Sequence, residues 1–390
     1  MLRVSRFHAL VKSIPRGVFD NAVAQSTADK HSKGFRCWDQ LLAMLYAQFA
    51  GVTSLRELVG GFNTHASHHY HLGTRKVSRS TLADANGKRP PEVFSALACA
   101  LMATASRSVR RDVRSVLNVL DSTSVTLTGG GFEGWTAPTR TRNIQGVKLH
   151  LQLIADDALP IRAAITAANV NDVCAVQDWP LASGERYVFD RGYCDYGWWQ
   201  HINEAGSVFV TRFKRNARLQ VVATRPRRAS ADEAILADEE VVLSNMNPGG
   251  GRRNPYVGRL RRIVVSRPDH DSPLVLATND LESTPERIAA DYRARWQIEL
   301  FFKWIKQHLQ IKRFLGESEG AVRTQLLTAL IAYLLMAIAH RASGATCSLW
   351  ESLMVLRASL FQREANEASH YQRCRERKRA LAERQGVLFA

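Results

Sequence analysis

Apolar positions repeat with a helical period along the first quarter of the chain. Four segments place apolar residues three or four positions apart, which predicts helices: CWDQLLAMLYAQFAG (37–51), SLRELVGGF (54–62), SRSTLADAN (78–86) and PPEVFSALACALMATAS (90–106). Gly51 ends the first of them, and Ser54 with Glu57 three residues later forms a capping-box pattern at the start of the second. Residues 1–108 are therefore predicted to form a helical domain.

From about residue 109 the pattern changes to short runs rich in β-branched residues. Three strands are predicted first, in VRSVLNVLDSTSVTL, VKLHLQLIAD and LPIRAAITAA, and NDVCAVQDW follows as a short helix. ERYVFDRGY, YGWWQHINEAG and SVFVTRFKR then predict a strand, a helix and a strand. This order indicates a mixed α/β unit over residues 109–213.

Residues 214–280 carry a third pattern, with short apolar runs between Gly, Pro and Asp turns and no helical period. We interpret this segment as an insertion of β-strands into the α/β core, which resumes at 281–345. Helices are predicted again at about 284–309, 320–341 and 347–362. The helical C-terminal region, 346–390, ends in QRCRERKRALAER, which is typical of a solvated helix.

Charge narrows the class of partner. The 390 residues carry a formal charge of +17 while 45% of them are apolar, so a large folded core coexists with a strongly basic surface. Residues 1–108 hold fourteen lysines and arginines against six acidic residues. Such an excess favours polyanions, above all nucleic acid. We therefore expect residues 1–108 to bind DNA.

Cysteine spacing and hydropathy narrow the cellular setting. The six cysteines have no CxxC spacing, which argues against a structural zinc site or a disulfide framework. The longest apolar run (326–339) is too short for a confident membrane span, and the N-terminus lacks the apolar core of a signal peptide. We expect a cytoplasmic protein with no membrane partner.

One carboxylate stands inside an apolar helical run. Glu299 lies within WQIELFFKWI, whose large side chains, including Trp296 and Leu300, are expected to be buried. At about 100° per residue, a single helix brings Tyr292, Arg295, Glu299 and Lys306 into an arc of roughly 60°. An ion pair from Arg295 to Glu299 is one explanation. The other is a metal ion, because a carboxylate among apolar side chains is costly unless paired or metal-bound.

Two further carboxylates follow apolar strands. Asp121 ends VLNVLD and Asp190 ends YVFD, and side chains at strand ends are where α/β sheets meet ligands. Either aspartate could instead be a turn former or a helix N-cap. Together with Glu299, however, they can hold two Mg²⁺ ions for phosphodiester chemistry. Arg295 and Lys306 would then hold DNA phosphates beside them.

These residues carry a resemblance to a known family. The spacing Y-x2-R-x3-E-x6-K at 292–306, after DST at 121 and DRGY at 190, resembles the signature of bacterial DDE transposases of the Insertion Sequence Four family. FRCWDQLLAMLYAQFAG and VSRSTLADAN are similar to that family's N-terminal region, so the resemblance covers nearly the whole chain.

The resemblance implies a fold, a site and partners. The fold is α/β: a ribonuclease-H-like core interrupted by the β-strand insertion, with the helical N-terminal DNA-binding domain and the helical C-terminal region. The metal and catalytic triad is Asp121, Asp190 and Glu299, with two Mg²⁺ ions that Mn²⁺ can replace. The implied contacts to DNA are Tyr292, Arg295, Lys306 and Arg191. The partners are double-stranded transposon ends and target, bound by a homodimer at the bacterial nucleoid.

The chain departs from the family in one respect. Hairpin-forming relatives use a tryptophan in the insertion to stack on a flipped base, and this chain has no tryptophan between Trp199 and Trp296. Tyr256, Trp198 and Trp199 are the remaining candidates for stacking. Trp198 and Trp199 are better explained as core residues.

Two other functions remain compatible with these patterns. A ribonuclease-H-like nuclease or resolvase would cut DNA without joining it, but such an enzyme needs neither the N-terminal domain nor the insertion. A non-catalytic DNA-binding regulator of transposition would need no intact carboxylate triad. The sequence therefore favours a DNA transposase, which cleaves at terminal inverted repeats and transfers strands into target DNA.

Overall fold

The computed structural model describes residues 5–110, 116–136, 145–226, 234–243, 254–268 and 270–362. Helices fill the first range: α1 (Arg6–Lys12), α2 (Arg16–Gln25), α3 (Cys37–Ala50), α4 (Leu55–Thr64), α5 (His69–Leu72), α6 (Arg79–Lys88) and α7 (Glu92–Arg110). The four helices predicted from periodicity correspond to α3, α4, α6 and α7. Helices α1, α2 and α5 were not predicted individually.

Hydroxyl side chains begin several of these helices, because they accept hydrogen bonds from backbone N–H groups that have no partner within the first turn. Ser54 accepts from the N–H of Glu57 at 3.2 Å at the start of α4. The expected capping box is only half formed, since the Glu57 carboxylate accepts from the backbone N–H of Thr53 at 2.8 Å. Gly51 ends α3 in the left-handed conformation (φ 74°), as its position predicted.

The described strands form one sheet of nine. They are β1 (Leu117–Thr126), β2 (Gly146–Ile154), β3 (Leu159–Ala167), β4 (Arg186–Phe189), β5 (Val208–Arg212), β6 (Leu219–Thr224), β7 (Ile235–Leu243), β8 (Leu260–Val265) and β9 (Leu274–Thr278). Their order is β3-β2-β1-β4-β5-β9-β8-β7-β6. Strands β1, β4 and β5 are parallel to one another, and every other pair is antiparallel.

Strands β6 to β9 come from the segment interpreted as an insertion. They continue the same sheet, because β9 pairs with β5 through Thr211 and Ala277. Two short helices make the crossovers between the parallel strands: α8 (Asp172–Val176) leads from β3 to β4, and α9 (Tyr196–Glu204) leads from β4 to β5. The mixed α/β unit predicted from the sequence is confirmed.

Four helices complete the described chain: α10 (Pro285–Ala294), α11 (Trp296–His308), α12 (Glu319–Ser343) and α13 (Leu349–Ser359). By length and composition α12 could span a membrane, but 83% of its most apolar window is buried inside the protein. It packs on α3, α6, α7 and β3, within one apolar cluster that also includes α11. The predicted helix at QRCRERKRALAER lies outside the described residues.

A buried ion-pair network ties α10 to the centre of the sheet. Arg186 on β4 donates through Nε to Asp291 at 2.6 Å and through Nη1 to Asp280 at 2.7 Å. The hydrogen bonds from Arg186 and neighbouring groups lower the pKa of the Asp280 carboxyl to about 2, although burial acts in the opposite direction. This network fixes where α10, and therefore the following α11, meets the sheet.

Candidate active site

The strand register brings the two predicted aspartates together. Leu120 on β1 pairs with Phe189, the last residue of the parallel neighbour β4. Asp121 directly follows Leu120, and Asp190 directly follows Phe189. The two aspartates therefore lie side by side where the parallel pairing of β1 with β4 stops.

The prediction that Asp121 ends a strand was wrong in one respect. Strand β1 continues for five more residues beyond Asp121, paired with β2 as far as Thr126 and Gly146. The longer strand arises because DSTSVT keeps the alternation of polar and β-branched residues that suits an antiparallel pair. Asp121 therefore stands on a continuous strand, which restricts its backbone more than a loop would.

Burial and charge both act on the Asp121 carboxyl. Its side chain is 19% exposed, and its pKa is raised to about 7, mainly by burial and further by the negative charges of Asp190 and Glu299. The N–H of Ser122, which donates to Oδ1 at 2.8 Å, and the Arg295 guanidinium act in the opposite direction. The three predicted carboxylates thus lie close enough to interact electrostatically.

Asp190 also has the structural role that the sequence left open. It caps the short 3₁₀ turn Arg191–Tyr193, where its Oδ1 accepts from the N–H of Gly192 at 2.7 Å. Gly192 is required by close approach, because a Cβ atom there would lie 2.9 Å from that same oxygen. Arg191 is exposed beside it.

The predicted signature helix is two helices. It breaks at Arg295, where the backbone hydrogen bonds shorten to a three-residue span: Arg295 donates to Tyr292 and Ile298 to Arg295, at 3.1 and 3.2 Å. Arg295 nevertheless keeps right-handed helical backbone angles (φ −52°, ψ −29°), and it still pairs with Glu299 four positions further on. Arg295 caps α11 and Glu299 lies in its first turn.

Arg295 lies between two of the carboxylates. Its Nη2 pairs with Glu299, and its Nη1 lies 3.5 Å from Oδ2 of Asp121. The expected ion pair from Arg295 to Glu299 is present, and it is extended to Asp121. The guanidinium thereby offsets the repulsion between a strand carboxylate and a helix carboxylate.

The other signature residues have mixed environments. Tyr292 is buried in an apolar cluster that includes residues of β4 and β8. Burial raises the pKa of its phenol, and the negative charge of Asp190 acts in the same direction. Lys306 is half-buried and donates to the backbone carbonyl of Ser124 on β1 at 3.3 Å. Burial lowers its pKa, and repulsion from Lys312 does so further.

A cationic cleft of about 440 Å³ opens beside the carboxylates. Its walls include Asp121, Glu299 and Lys306, together with Lys303 and Lys312. The last two lysines were not predicted, although Lys303 follows Glu299 by four positions and so faces the same side of α11.

The structure confirms Trp198 and Trp199 as core residues and contradicts the expected burial of Trp296. Trp198, Trp199 and Tyr256, the candidates for base stacking, are buried in one apolar cluster. They are core residues and cannot reach a base without unfolding that cluster. Trp296, expected to be buried, is 56% exposed beside Arg295, and the neighbouring Leu300 is exposed as well.

The donor chemistry at the site suits a hard divalent cation, because the donors are carboxylate oxygens on an open cleft and their mutual repulsion raises the pKa of Asp121. In the described residues, no three acidic, histidine or cysteine side chains are yet gathered closely enough to share an ion. Arg295 occupies the space between two of the donors, so it would turn away as an ion enters.

Comparisons with known proteins identify the family of the chain. Residues 114–335 match the family described as "Transposase DDE domain", and residues 3–75 match one described as "Domain of unknown function". A Sinorhizobium fredii protein named as transposase y4zB is 41% identical over 282 residues, covering 72% of this chain and 77% of its own. A Geobacillus stearothermophilus protein named for insertion sequence element IS5377 is 27% identical over 307 residues, covering 75% and 78%.

Two weaker likenesses complete the comparison. A Synechocystis protein named for insertion sequence element IS4SA is 25% identical over 178 residues, covering 45% of this chain and 47% of its own. The piggyBac transposase synaptic complex with hairpin DNA gives a TM-score of 0.46 at 11% identity, covering 93% of this chain and 83% of its own. The family match and the 41% identity decide the assignment: the chain belongs to the DDE transposases, divalent-metal enzymes that cleave DNA and transfer its strands.

Proposed function

We propose that the protein cuts DNA at the terminal inverted repeats of an insertion sequence and joins the ends to target DNA, with Asp121, Asp190 and Glu299 as its catalytic carboxylates. The observation that carries this proposal is the register of Leu120 with Phe189, which makes the two aspartates neighbours. Arg295, in contact with both Asp121 and Glu299, brings the α11 carboxylate to them. The relatives named for insertion sequences support the substrate.

The strand order supports a ribonuclease-H-like core. Strands β3, β2 and β1 form an antiparallel meander, and β4 and β5 extend it in parallel beyond β1. The four later strands then widen the sheet instead of forming a separate body. In this arrangement the central strand β1 bears the first carboxylate, and its parallel neighbour bears the second.

Two Mg²⁺ ions, replaceable by Mn²⁺, are the proposed cofactors, held by the three carboxylates. When bound, such ions lower the pKa of the attacking hydroxyl and stabilise the leaving oxygen of the phosphodiester. The chain's own residues supply the rest. Asp121 must be ionised to act as a ligand, and Ser122 and Arg295 favour the ionised form. Arg295, once released from the carboxylates, is close enough to bind the scissile phosphate.

Phosphate binding beside the carboxylates is the proposed role of the cationic cleft. Lys303, Lys306 and Lys312 line it within one face of the site. Burial lowers the pKa of Lys306 and repulsion from Lys312 lowers it further, and a bound phosphate would relieve that repulsion. Arg191, exposed next to Asp190, extends the same positive surface. Tyr292 is buried, so its proposed contact with the transposon end is a small one.

The N-terminal helices offer a second positive surface for the terminal repeats. A cleft of about 850 Å³ runs along α6 and is lined by Lys30, Lys33, Arg75 and Lys76. All four are exposed, and none has an ion-pair partner among the described residues. Unpaired cations along a groove suit a DNA backbone, and the exposed face of α6 would lie next to the bases.

Salt dependence tests this second surface. The double variant Arg75→Ala/Lys76→Ala should weaken binding of element ends and lower the slope of log K against log salt by about 2, because each phosphate contact contributes about 0.9. A control variant, Arg267→Ala/Arg323→Ala, removes two cations that already have protein partners and should leave the slope unchanged. Equal slopes for both variants would exclude the cleft as a DNA surface.

Synapsis of two element ends requires two active sites, and we propose a homodimer on DNA at the nucleoid of the bacterial cytoplasm. The central experiment is incubation of the full-length protein with labelled element ends and target plasmid in Mg²⁺ or Mn²⁺. The proposal predicts cut ends and joined products, both lost in Asp121→Asn and Glu299→Gln. Cutting without joining would favour a nuclease, and binding without cutting would favour a regulator.

A further inference from the structure

A row of polar side chains crosses the sheet beside Asp121. Lys148 and His150 alternate along β2, so both point to the same face, and they lie opposite Ser124 and Ser122 on β1. Polar side chains at alternate positions interrupt the otherwise apolar strand GVKLHLQLI. They lie under the start of α8.

Asp172, the first residue of α8, contacts several side chains of this row. Its Oδ1 accepts from the Ser122 hydroxyl at 2.9 Å and from Nζ of Lys148 at 3.1 Å. Lys148 also donates to the carbonyl of Val170 at 2.8 Å, which fixes its ammonium group. His150 lies 3.7 Å from the same carboxylate. Burial lowers the pKa of His150 to about 4, so Lys148 is the cation that pairs with Asp172 at neutral pH.

The same carboxylate reaches both segments that carry the catalytic aspartates. Ser122, which donates its hydroxyl to Asp172, donates its backbone N–H to Oδ1 of Asp121 at 2.8 Å. On the other side, a Cβ atom on Gly192 would lie 3.3 Å from Oδ2 of Asp172 and 2.9 Å from Oδ1 of Asp190. Asp172 therefore lies against the turn after β4 as well as against β1.

A buried tyrosine makes the same connection. Tyr193 is fully buried, and its pKa is raised first by burial and then by the charges of Asp172, Asp121 and Asp190. One phenol thus stands among all three carboxylates and stays protonated. Of these three carboxylates, Asp172 is the one that pairs with a lysine, Lys148.

We propose that Asp172 is a positioning residue of the transposase: with Ser122 and Lys148 it holds Asp121 and Asp190 at the separation and orientation that bind divalent ions. The inference rests on the proposed role of those two aspartates as metal ligands. It assigns no metal contact to Asp172 itself, whose Oδ1 is occupied by its own partners. A purely structural Asp172 would merely hold α8 on the sheet.

The test measures Mn²⁺ affinity of the full-length protein without DNA, by calorimetry. Residues that orient metal ligands typically change affinity by about 10–100-fold when replaced. Asp172→Asn should therefore weaken Mn²⁺ binding by at least about tenfold, and lower kcat for end cleavage while the KM for DNA stays near the wild-type value. The control is Asp157→Asn, which breaks a more exposed ion pair with Arg341 and should leave Mn²⁺ affinity unchanged.

A second variant covers the case in which Asp172→Asn does not fold. Ser122→Ala removes one hydroxyl and keeps the backbone N–H to Asp121, and it should weaken Mn²⁺ binding several-fold. Affinities within twofold of wild type in the folded variants overturn the inference, even if their melting temperatures fall. If Asp121→Asn itself leaves Mn²⁺ binding unchanged, the proposed metal site fails instead, so the two failures are distinguishable.

Discussion

Replacing Asp121 by asparagine should stabilise the metal-free protein at neutral and alkaline pH. The folded pKa of this carboxyl is about 7, raised by burial and by Asp190 and Glu299, whereas an unfolded chain gives about 3.9. Between those values the folded protein holds a proton that the unfolded chain releases. Stability from this group is therefore fully present below about pH 4 and is lost as pH rises through about 7.

The magnitude follows from the two pKa values. One pKa unit corresponds to about 1.36 kcal/mol, so ionised Asp121 destabilises the fold by at most about 4 kcal/mol above pH 7. Between pH 5 and pH 8 the loss is about 2–3 kcal/mol. Asparagine has no such charge. The difference in unfolding free energy between the variant and wild type should grow by that amount over this range.

Urea denaturation in the presence of a chelator, at pH 5 and pH 8, measures this difference. Other titrating groups cancel, because both proteins contain them. Addition of Mn²⁺ at pH 8 should narrow the difference by stabilising wild type alone, by about 2.7 kcal/mol at a hundredfold excess over Kd. If the difference in unfolding free energy between the variant and wild type does not change with pH, the raised pKa of Asp121 is refuted.

Three further changes test other parts of the structure. Gly192→Ala places a Cβ atom 2.9 Å from Oδ1 of Asp190, so end cleavage should fall at least about tenfold, and wild-type cleavage rates would contradict this. Lys306→Ala loses one hydrogen bond to a carbonyl, which is worth about 0.5–1.5 kcal/mol of stability. Strand transfer should fall much further, by about 10²–10³-fold. A large drop in melting temperature, with activity reduced only in proportion to the folded protein, would show that the lysine is structural. Arg186→Met removes the arginine partner of buried Asp280 and leaves buried Asp291 with Arg287 alone, and it should destabilise the fold by about 3–5 kcal/mol in urea titrations.

Much of the local structure could be predicted from hydrophobic periodicity. The helices of the N-terminal region and the strands of the α/β unit follow directly from spacing and β-branched content. What periodicity cannot show is where neighbouring strands stop relative to each other. Strand β1 continues for six residues beyond Leu120, whereas β4 stops at Phe189. Asp121 therefore lies within a strand, and Asp190 follows the end of one.

The candidate site was predictable only in part, for a similar reason. The signature spacing identified Glu299 and Arg295, but an unbroken helical wheel hides the turn at Arg295 that sets their direction. Residue type also does not reveal which apolar side chains are buried in the folded protein. Trp296, for example, is exposed. One feature of the sequence points toward Asp172. Lys148 alternates with a histidine within the apolar strand β2, which predicts a polar face with a positive charge that needs an acidic partner.

The most direct test is anomalous diffraction from crystals of the protein with Mn²⁺ and a short element end. If Asp121, Asp190 and Glu299 form the catalytic metal site, the anomalous peaks will lie within about 2.0–2.3 Å of oxygens from these three side chains. The Arg295 guanidinium will then have left Asp121 and Glu299 for a phosphate. Peaks ligated by other residues, or an Arg295 still paired with both carboxylates beside bound DNA, would contradict the account.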